Sequence, residues 1–312
     1  DALDLWLQNP LRREVKRQVW IPFTLHPPKI EADQFNLFTS FRHPVPRDLT
    51  TPKPVSPGVE AMLTHLRSVW AGGNDVHFQY LLGWLAHKVQ RPEHKIGVAM
   101  VIKSQRHGAG KGIVFDFFKN YVLGTEFCRQ LASVNSLLSN FNGDAERSLL
   151  VCLDELGQKG GAYSNNDRIK DLITRTQQRI ENKGLDARFA PDYNDYWFFT
   201  NNDWIVKVET SDRRYFCCDA NDQYANDDQY FKKLVGLCMN DECGREMFEY
   251  LLAYDLSTFN FRKIPVTSWK RELREKSIDP LLQSIINLIK DNLNSPETHW
   301  LVTEFEEYYE SI

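Results

Sequence analysis

Gly97-Val-Ala-Met-Val-Ile-Lys-Ser-Gln-Arg-His-Gly-Ala-Gly-Lys-Gly-Ile113 is the stretch on which the reading of this chain turns. Residues 97–102 are a short, continuous apolar run, the pattern of a parallel strand buried on both faces. A polar, glycine-containing turn follows. Val114, Phe117, Phe118 and Val122 then recur at helical spacing. Strand, glycine turn and helix in this order suit an anion. Glycines let backbone N–H groups turn toward it, and a helix N-terminus adds a favourable dipole. Gly108, Ala109, Gly110, Lys111 and Gly112 are therefore the candidate phosphate loop, with Lys111 reaching the terminal phosphates. Compared with G-x-x-x-x-G-K-[ST], Gln105 replaces the first glycine. Gly112 replaces the hydroxyl residue that would hold magnesium.

Two further apolar runs lie downstream. Leu149-Leu-Val-Cys-Leu153 ends in Asp154-Glu155, and Tyr196-Trp-Phe-Phe-Thr200 ends in Asn201-Asn202. Between them, Ile169, Leu172 and Ile173 have helical spacing. Alternating strands and helices predict an α/β fold with a parallel, helix-covered sheet. Carboxylates at the end of the second strand are where a phosphate site needs them, Asp154 for magnesium and Glu155 to polarise the attacking water. An amide in Thr200-Asn201-Asn202, at the end of the next strand, would orient that water. Asp212-Arg213-Arg214 adds a candidate arginine finger that stabilises charge on a neighbouring subunit's nucleotide.

Residues 1–58 are aromatic and end in a proline-punctuated stretch that excludes a regular helix. Trp6, Trp20, Phe23, Phe35, Leu37, Phe38 and Phe41 predict a strap lying on the following domain. A small helical layer is expected over 59–95, ended by Arg91-Pro92. The nucleotide-binding core is expected over 96–243 and a helical region over 244–312. Phe248, Leu251 and Leu252 mark one apolar face there, and Leu281, Ile285, Ile286 and Ile289 another. Residues 219–230 read as an acidic loop. The six cysteines have no metal-ligand spacing and read as reduced thiols of a cytosol-like compartment. The 312 residues carry a net charge of −4, which taken alone argues against nucleic acid. Locally the balance differs. From Lys159 to Ala190 seven basic residues face four acidic ones. The chain opens on Asp rather than Met, the expectation for a piece of a longer protein.

In this order and spacing, Gly108-x-Gly110-Lys111, Leu149 to Glu155, Phe198 to Asn202 and Asp212-Arg213-Arg214 resemble superfamily 3 helicases. The likeness is to the AAA+ helicase part of phage and large-DNA-virus primase-helicases, and it covers about residues 76–220. Asn36-Leu-Phe, Tyr80 to Ala86 and Gln90-Arg-Pro92 resemble the lead-in of such proteins. The resemblance implies an ATP- and Mg2+-dependent, homohexameric ring that translocates on single-stranded DNA in a host cytoplasm. It also implies covalent linkage to an upstream primase or polymerase part. Lys111 would bind phosphate, Asp154 would serve magnesium and Glu155 would activate water. Asn202 would be the sensor, and Arg213 or Arg214 the finger, with Arg213 preferred. A DNA-facing hairpin falls on Gln178 to Arg188, with Asn182-Lys183-Gly184 at its tip and Arg179, Lys183 and Arg188 as contacts. The missing hydroxyl at Gly112 admits an alternative, a nucleotide-binding ring on DNA with little turnover. A small-molecule P-loop kinase would leave Asn202 and the arginine pair without a role.

Overall fold

A computed structural model describes residues 2–10, 12, 14–49, 54–139, 142–154, 165–181, 184, 186–202, 208–209 and 212–277. In chain order the elements are α1 (Ala2–Gln8), β1 (Arg17–Val19), β2 (Gln34–Asn36), α2 (Pro57–His65), α3 (Asp75–Gln90), β3 (Ala99–Lys103) and α4 (Lys111–Phe117). Next come β4 (Cys128–Leu131), α5 (Val134–Leu137), β5 (Leu150–Leu153), α6 (Asn166–Thr174), β6 (Gln177–Ile180), β7 (Arg188–Pro191) and β8 (Asp195–Thr200). The described part ends with β9 (Tyr215–Asp219), α7 (Asp228–Cys238), α8 (Asp241–Ala253) and α9 (Ser268–Lys276). Leu281, Ile285, Ile286 and Ile289 lie outside the described residues.

Five strands form one parallel sheet in the order β4-β5-β8-β3-β9. Successive side chains of a strand point to opposite faces, so a sheet covered on both sides needs unbroken apolar runs. One face presents Met100, Ile102, Trp197, Phe199, Phe216 and Cys218 to a core shared with α2, α3, α4, α7 and α8. The other presents Ala99, Val101, Val151, Leu153, Tyr196, Phe198, Tyr215 and Cys217 to Ile169, Leu172 and Ile173 of α6 and to Trp269 and Leu273 of α9. This mixed α/β architecture, with helices on both faces of a parallel sheet, agrees with the sequence expectation. Two strands escape the sequence reading. The strand β4 is an edge strand with polar Arg129 and Gln130, and β9 directly follows the Asp212-Arg213-Arg214 motif.

The N-terminal segment lies on the core. Asn36 closes a loop through its side chain, exchanging hydrogen bonds of 2.9 Å with both backbone groups of Ile21. This fixes Trp20, Phe38 and Phe41, which pack edge-on or tilted against Phe127, Tyr193 and Phe248. Trp6 and Phe35 remain exposed. All six cysteines are buried free thiols.

Charged groups buried at the N-terminal edge of the sheet fix its assembly. Lys88 of α3 donates to the Asp195 carboxylate at 2.8 Å, with both side chains almost fully buried. The same carboxylate accepts the backbone N–H groups of Ile96 and Gly97. Beside it, Asp192 accepts from Lys95 and from Arg175, each at 3.0 Å. Burial alone would raise the Asp192 carboxyl, but Lys95, Asn194 and Arg175 outweigh it and hold it below its ordinary value. A buried ion pair is costly to break from one side, because the remaining charge is left uncompensated. Asp195→Ala is thus expected to lower the unfolding free energy by about 3–5 kcal/mol in chemical denaturation. Asp75→Ala, which removes the exposed partner of Arg67, is expected to cost about 1 kcal/mol or less. Equal losses would contradict this assignment.

Candidate functional site

The loop leaves the C-terminal end of β3, and α4 begins at Lys111. Its two inner glycines are conformationally required. Gly108 has φ 73° and Gly110 φ 88°, the left-handed region that side chains rarely adopt. Space restricts both positions as well. A Cβ on Gly110 would lie 2.7 Å from the rings of His65 and Phe231, and one on Gly108 2.9 Å from Asn226 Oδ1. Gly112 is different: it is exposed, and nothing lies within 4 Å of where a Cβ would be. A serine would therefore fit at 112.

The strand next to β3 braces the loop. Lys103 is registered against Thr200. The Thr200 carbonyl accepts Ser104 N–H at 3.1 Å and Lys111 Nζ at 2.5 Å. Lys111 also donates to Asn201 Oδ1 at 3.2 Å. The Asn201 amide in turn donates to the Ser104 carbonyl at 2.9 Å and to the Arg106 carbonyl at 3.3 Å. The asparagine that touches both lysine and loop is thus Asn201. Asn202 is exposed and bonds Thr200 Oγ1 through its backbone.

From the other side the loop meets the helical layer and the acidic segment. His65 is buried. Its Nε2 lies 3.1 Å from the Gly110 carbonyl, and its Nδ1 2.9 Å from the Tyr230 hydroxyl. A carbonyl only accepts, so Nε2 carries the proton and Nδ1 accepts from Tyr230. Burial pushes the His65 pKa down, which keeps the ring neutral. Asp222 accepts Arg106 N–H at 2.9 Å, and Tyr224 stacks on Tyr230 with centroids 3.7 Å apart. The segment expected as a loop over 219–230 therefore begins inside β9, ends inside α7 and lines the glycine loop.

Asp154 is exposed at the end of β5, and its backbone N–H bonds the Leu131 carbonyl. Its charge is felt by Lys111 and by Asp116 of α4. Burial pushes the Asp116 carboxyl up, and the Asp154 charge pushes it further. Burial pushes the Lys111 ammonium down to about 8, partly offset by Asp154 and Asp222. Glu155 and Lys183 lie outside the described residues. Arg213 is exposed and Arg214 half-buried. Both precede β9, so they sit one strand length, about 16 Å, from the sheet edge that carries their own loop. At that same far edge the antiparallel hairpin β6–β7 carries Arg179 and Arg188, both exposed.

Within the predicted Thr200-Asn201-Asn202 end, the residue that touches Lys111 is Asn201. Sequence reasoning missed His65, Tyr230, Asp222 and Asp116, which come from elements distant in sequence or carry no motif.

Residues 102–214 match the model of a family of unknown function, DUF5906, a stretch shorter than half the chain. The comparison with curated proteins finds no match. Among solved structures, the apo C-terminal region of NrS-1 is similar to this chain at 19% identity and a TM-score of 0.71. That match covers 94% of this chain and 71% of that one. An A-form apo structure of the same region is similar at 21% identity and a TM-score of 0.69. It covers 88% of this chain and 63% of that one, so the chain spans under two thirds of that structure's length. At such identities the likeness establishes the fold alone. A JCV helicase bound to a thiazolopyridine acetamide is similar at only 16% identity and a TM-score of 0.34, covering 73% of this chain and 70% of that one. That score is too low to carry an argument.

The depressed Lys111 pKa has a direction that can be checked. The folded value of about 8 lies below the ordinary lysine value of 10.5, so the fold favours the neutral amine, and the cation that would attract phosphate is lost as pH rises through about 8. Affinity for ADP, whose own ionisation is complete in this range, is expected to fall between pH 7.5 and 9.5, by up to about tenfold per unit. Lys111→Ala should bind more weakly and with no such slope. Calorimetric titration at several pH values reads both, and parallel profiles would contradict the assignment.

Proposed function

We propose that the chain is the ATP-driven, ring-forming DNA helicase module of a viral or phage replication protein. One observation carries the reading. At the N-terminus of α4 the Lys111 ammonium bridges the Thr200 carbonyl and the Asn201 amide. A cation is thereby set beside a glycine loop at the C-terminal edge of a parallel sheet. Such a loop binds phosphate through backbone N–H groups and helix dipole.

The residues fit a magnesium-bound triphosphate. Gly108, Ala109, Gly110, Lys111 and Gly112 would hold its phosphates, and Asp154 its magnesium, largely through water. The metal would neutralise charge on the transferred phosphoryl group. Glu155 polarises the attacking water, and Asn202, ending Thr-x-Asn, orients it. Asn201 keeps the loop in register with β8. Arg213, with Arg214 beside it, serves a neighbouring subunit, since both stand at the sheet edge away from their own loop. This division of the site between subunits is what favours a ring, taken as a hexamer. DNA is assigned to the central channel, at Arg179, Lys183 and Arg188 of the hairpin region. The organisation proposed is a strap and linker over 1–58, a helical layer over 59–95, the AAA+ core over 96–243 and a helical region over 244–312. An upstream primase or polymerase part and a host cytoplasmic location complete the reading. No described helix is long and apolar enough to cross a membrane.

Gly112 favours a second reading, a nucleotide-binding ring on DNA with weak turnover. The position has room for a hydroxyl and lacks one, so magnesium loses a protein ligand there. Phosphate release with and without single-stranded DNA separates the two. The helicase reading expects DNA-stimulated hydrolysis that falls about 100-fold or more in Lys111→Ala and Glu155→Gln. Equal turnover in the wild type and both variants sinks it. Activity that arises only in Gly112→Ser supports the second reading.

A further inference from the structure

The hairpin β6–β7 presents one large ring that the fold leaves uncovered. Its pairing sets Arg179 directly opposite Phe189 and Gln178 opposite Ala190. Gln178, Ile180 and Ala190 are buried beneath, whereas Gln177, Arg179, Phe189 and Pro191 face outward. Phe189 is 73% exposed. Covering a phenylalanine is favourable by a few kcal/mol, so a ring held on an ordered strand and left open is suited to a ligand.

The surroundings identify the ligand's chemistry. Arg179 lies directly across the hairpin on the same face, and Arg188, paired with Ile180, turns to the other face. Each is held by one carboxylate, Glu181 at 2.7 Å and Glu146 at 2.5 Å. A guanidinium has five N–H donors, so a single carboxylate orients each arginine and leaves donors for another anion. Both arginine side chains stay more than half exposed. The hairpin itself is anchored. Asn142 bonds the Arg179 carbonyl at 2.9 Å and the Glu181 N–H at 3.1 Å. Gln178 and Asn194 both donate to the Ala145 carbonyl. An open aromatic face beside a cation on a fixed support matches an unpaired nucleic-acid strand, which offers a π-face and flanking phosphates. An apolar protein partner would meet a contiguous apolar patch instead.

We propose that the outer face of this hairpin is a stacking platform for an unpaired base, with Phe189 as the ring and Arg179, on the same face, on an adjoining phosphate. The inference rests on the nucleic-acid reading above and adds to it the contact that holds a base. Stacking on an aromatic ring is sequence-tolerant, so the platform serves a strand of any sequence.

Fluorescence anisotropy with a labelled oligothymidylate tests it on the whole chain. Phe189→Ala is expected to weaken binding about 5- to 150-fold. The slope of affinity against salt should stay unchanged, because no phosphate contact is lost. Phe189→Trp should retain wild-type affinity. Arg179→Ala should instead flatten the salt slope by about 0.7. An unchanged denaturation midpoint in Phe189→Ala shows that the fold is intact. Equal affinity of wild type and Phe189→Ala overturns the platform and leaves the nucleic-acid reading standing. So does a Phe189→Ala variant whose only change is in oligomeric state, since the ring would then be a contact between copies. A wild type that binds no single strand overturns both.

Discussion

The Asp195 carboxylate determines where the rest of the molecule lies. It opens β8, takes the Lys88 ammonium of α3 and caps the N–H groups of Ile96 and Gly97 on the way into β3. Those contacts pin the start of β8 to the chain entering β3. A slip of one residue would turn every side chain of a strand to the wrong face, and both faces of this sheet are packed with large rings. The pairing therefore has one register, with Met100 against Trp197 and Lys103 against Thr200. From it follows the chemistry at the other end. The loop leaves β3 beside Thr200, and Lys111 finds the Thr200 carbonyl and Asn201.

A parallel sheet separates what stands at its two edges. The glycine loop before α4, Asp154, Asn201 and Asn202 share the C-terminal edge, where ligands of open α/β sheets bind. The N-terminal edge carries Arg213, Arg214 and the hairpin, about 16–20 Å away. The overall charge of −4 averages over these ends. Acidic Asp222 lies against the loop, while arginines gather on the hairpin. An averaged charge therefore says little about either surface.

The sequence carried the fold where burial is two-sided. β3, β5 and β8 are unbroken apolar runs because helices cover both faces of the sheet, and such runs are visible by eye. β4 was not visible, since an edge strand tolerates Arg129 and Gln130. β9 is hidden because its apolar run, Tyr215 to Cys218, is short and set between charged residues, Asp212-Arg213-Arg214 before it and Asp219 at its end. At the site, loop and strand ends were legible because glycines and carboxylates mark them. His65 and Tyr230 were not, since their contact joins residues far apart in the chain and no spacing rule encodes it. Phe189 was unreadable for another reason: an apolar residue in a strand is expected to be buried, and only the pairing reveals which face it takes.

The central claim is that the loop between β3 and α4, with the acidic segment that lines it, is the nucleotide site. Amide hydrogen exchange with and without magnesium ATP tests this most directly. The account predicts slower exchange in peptides covering 104–117 and 220–231, and no slowing of either in Lys111→Ala. Protection confined to other parts of the chain, or none at saturating nucleotide, would contradict it.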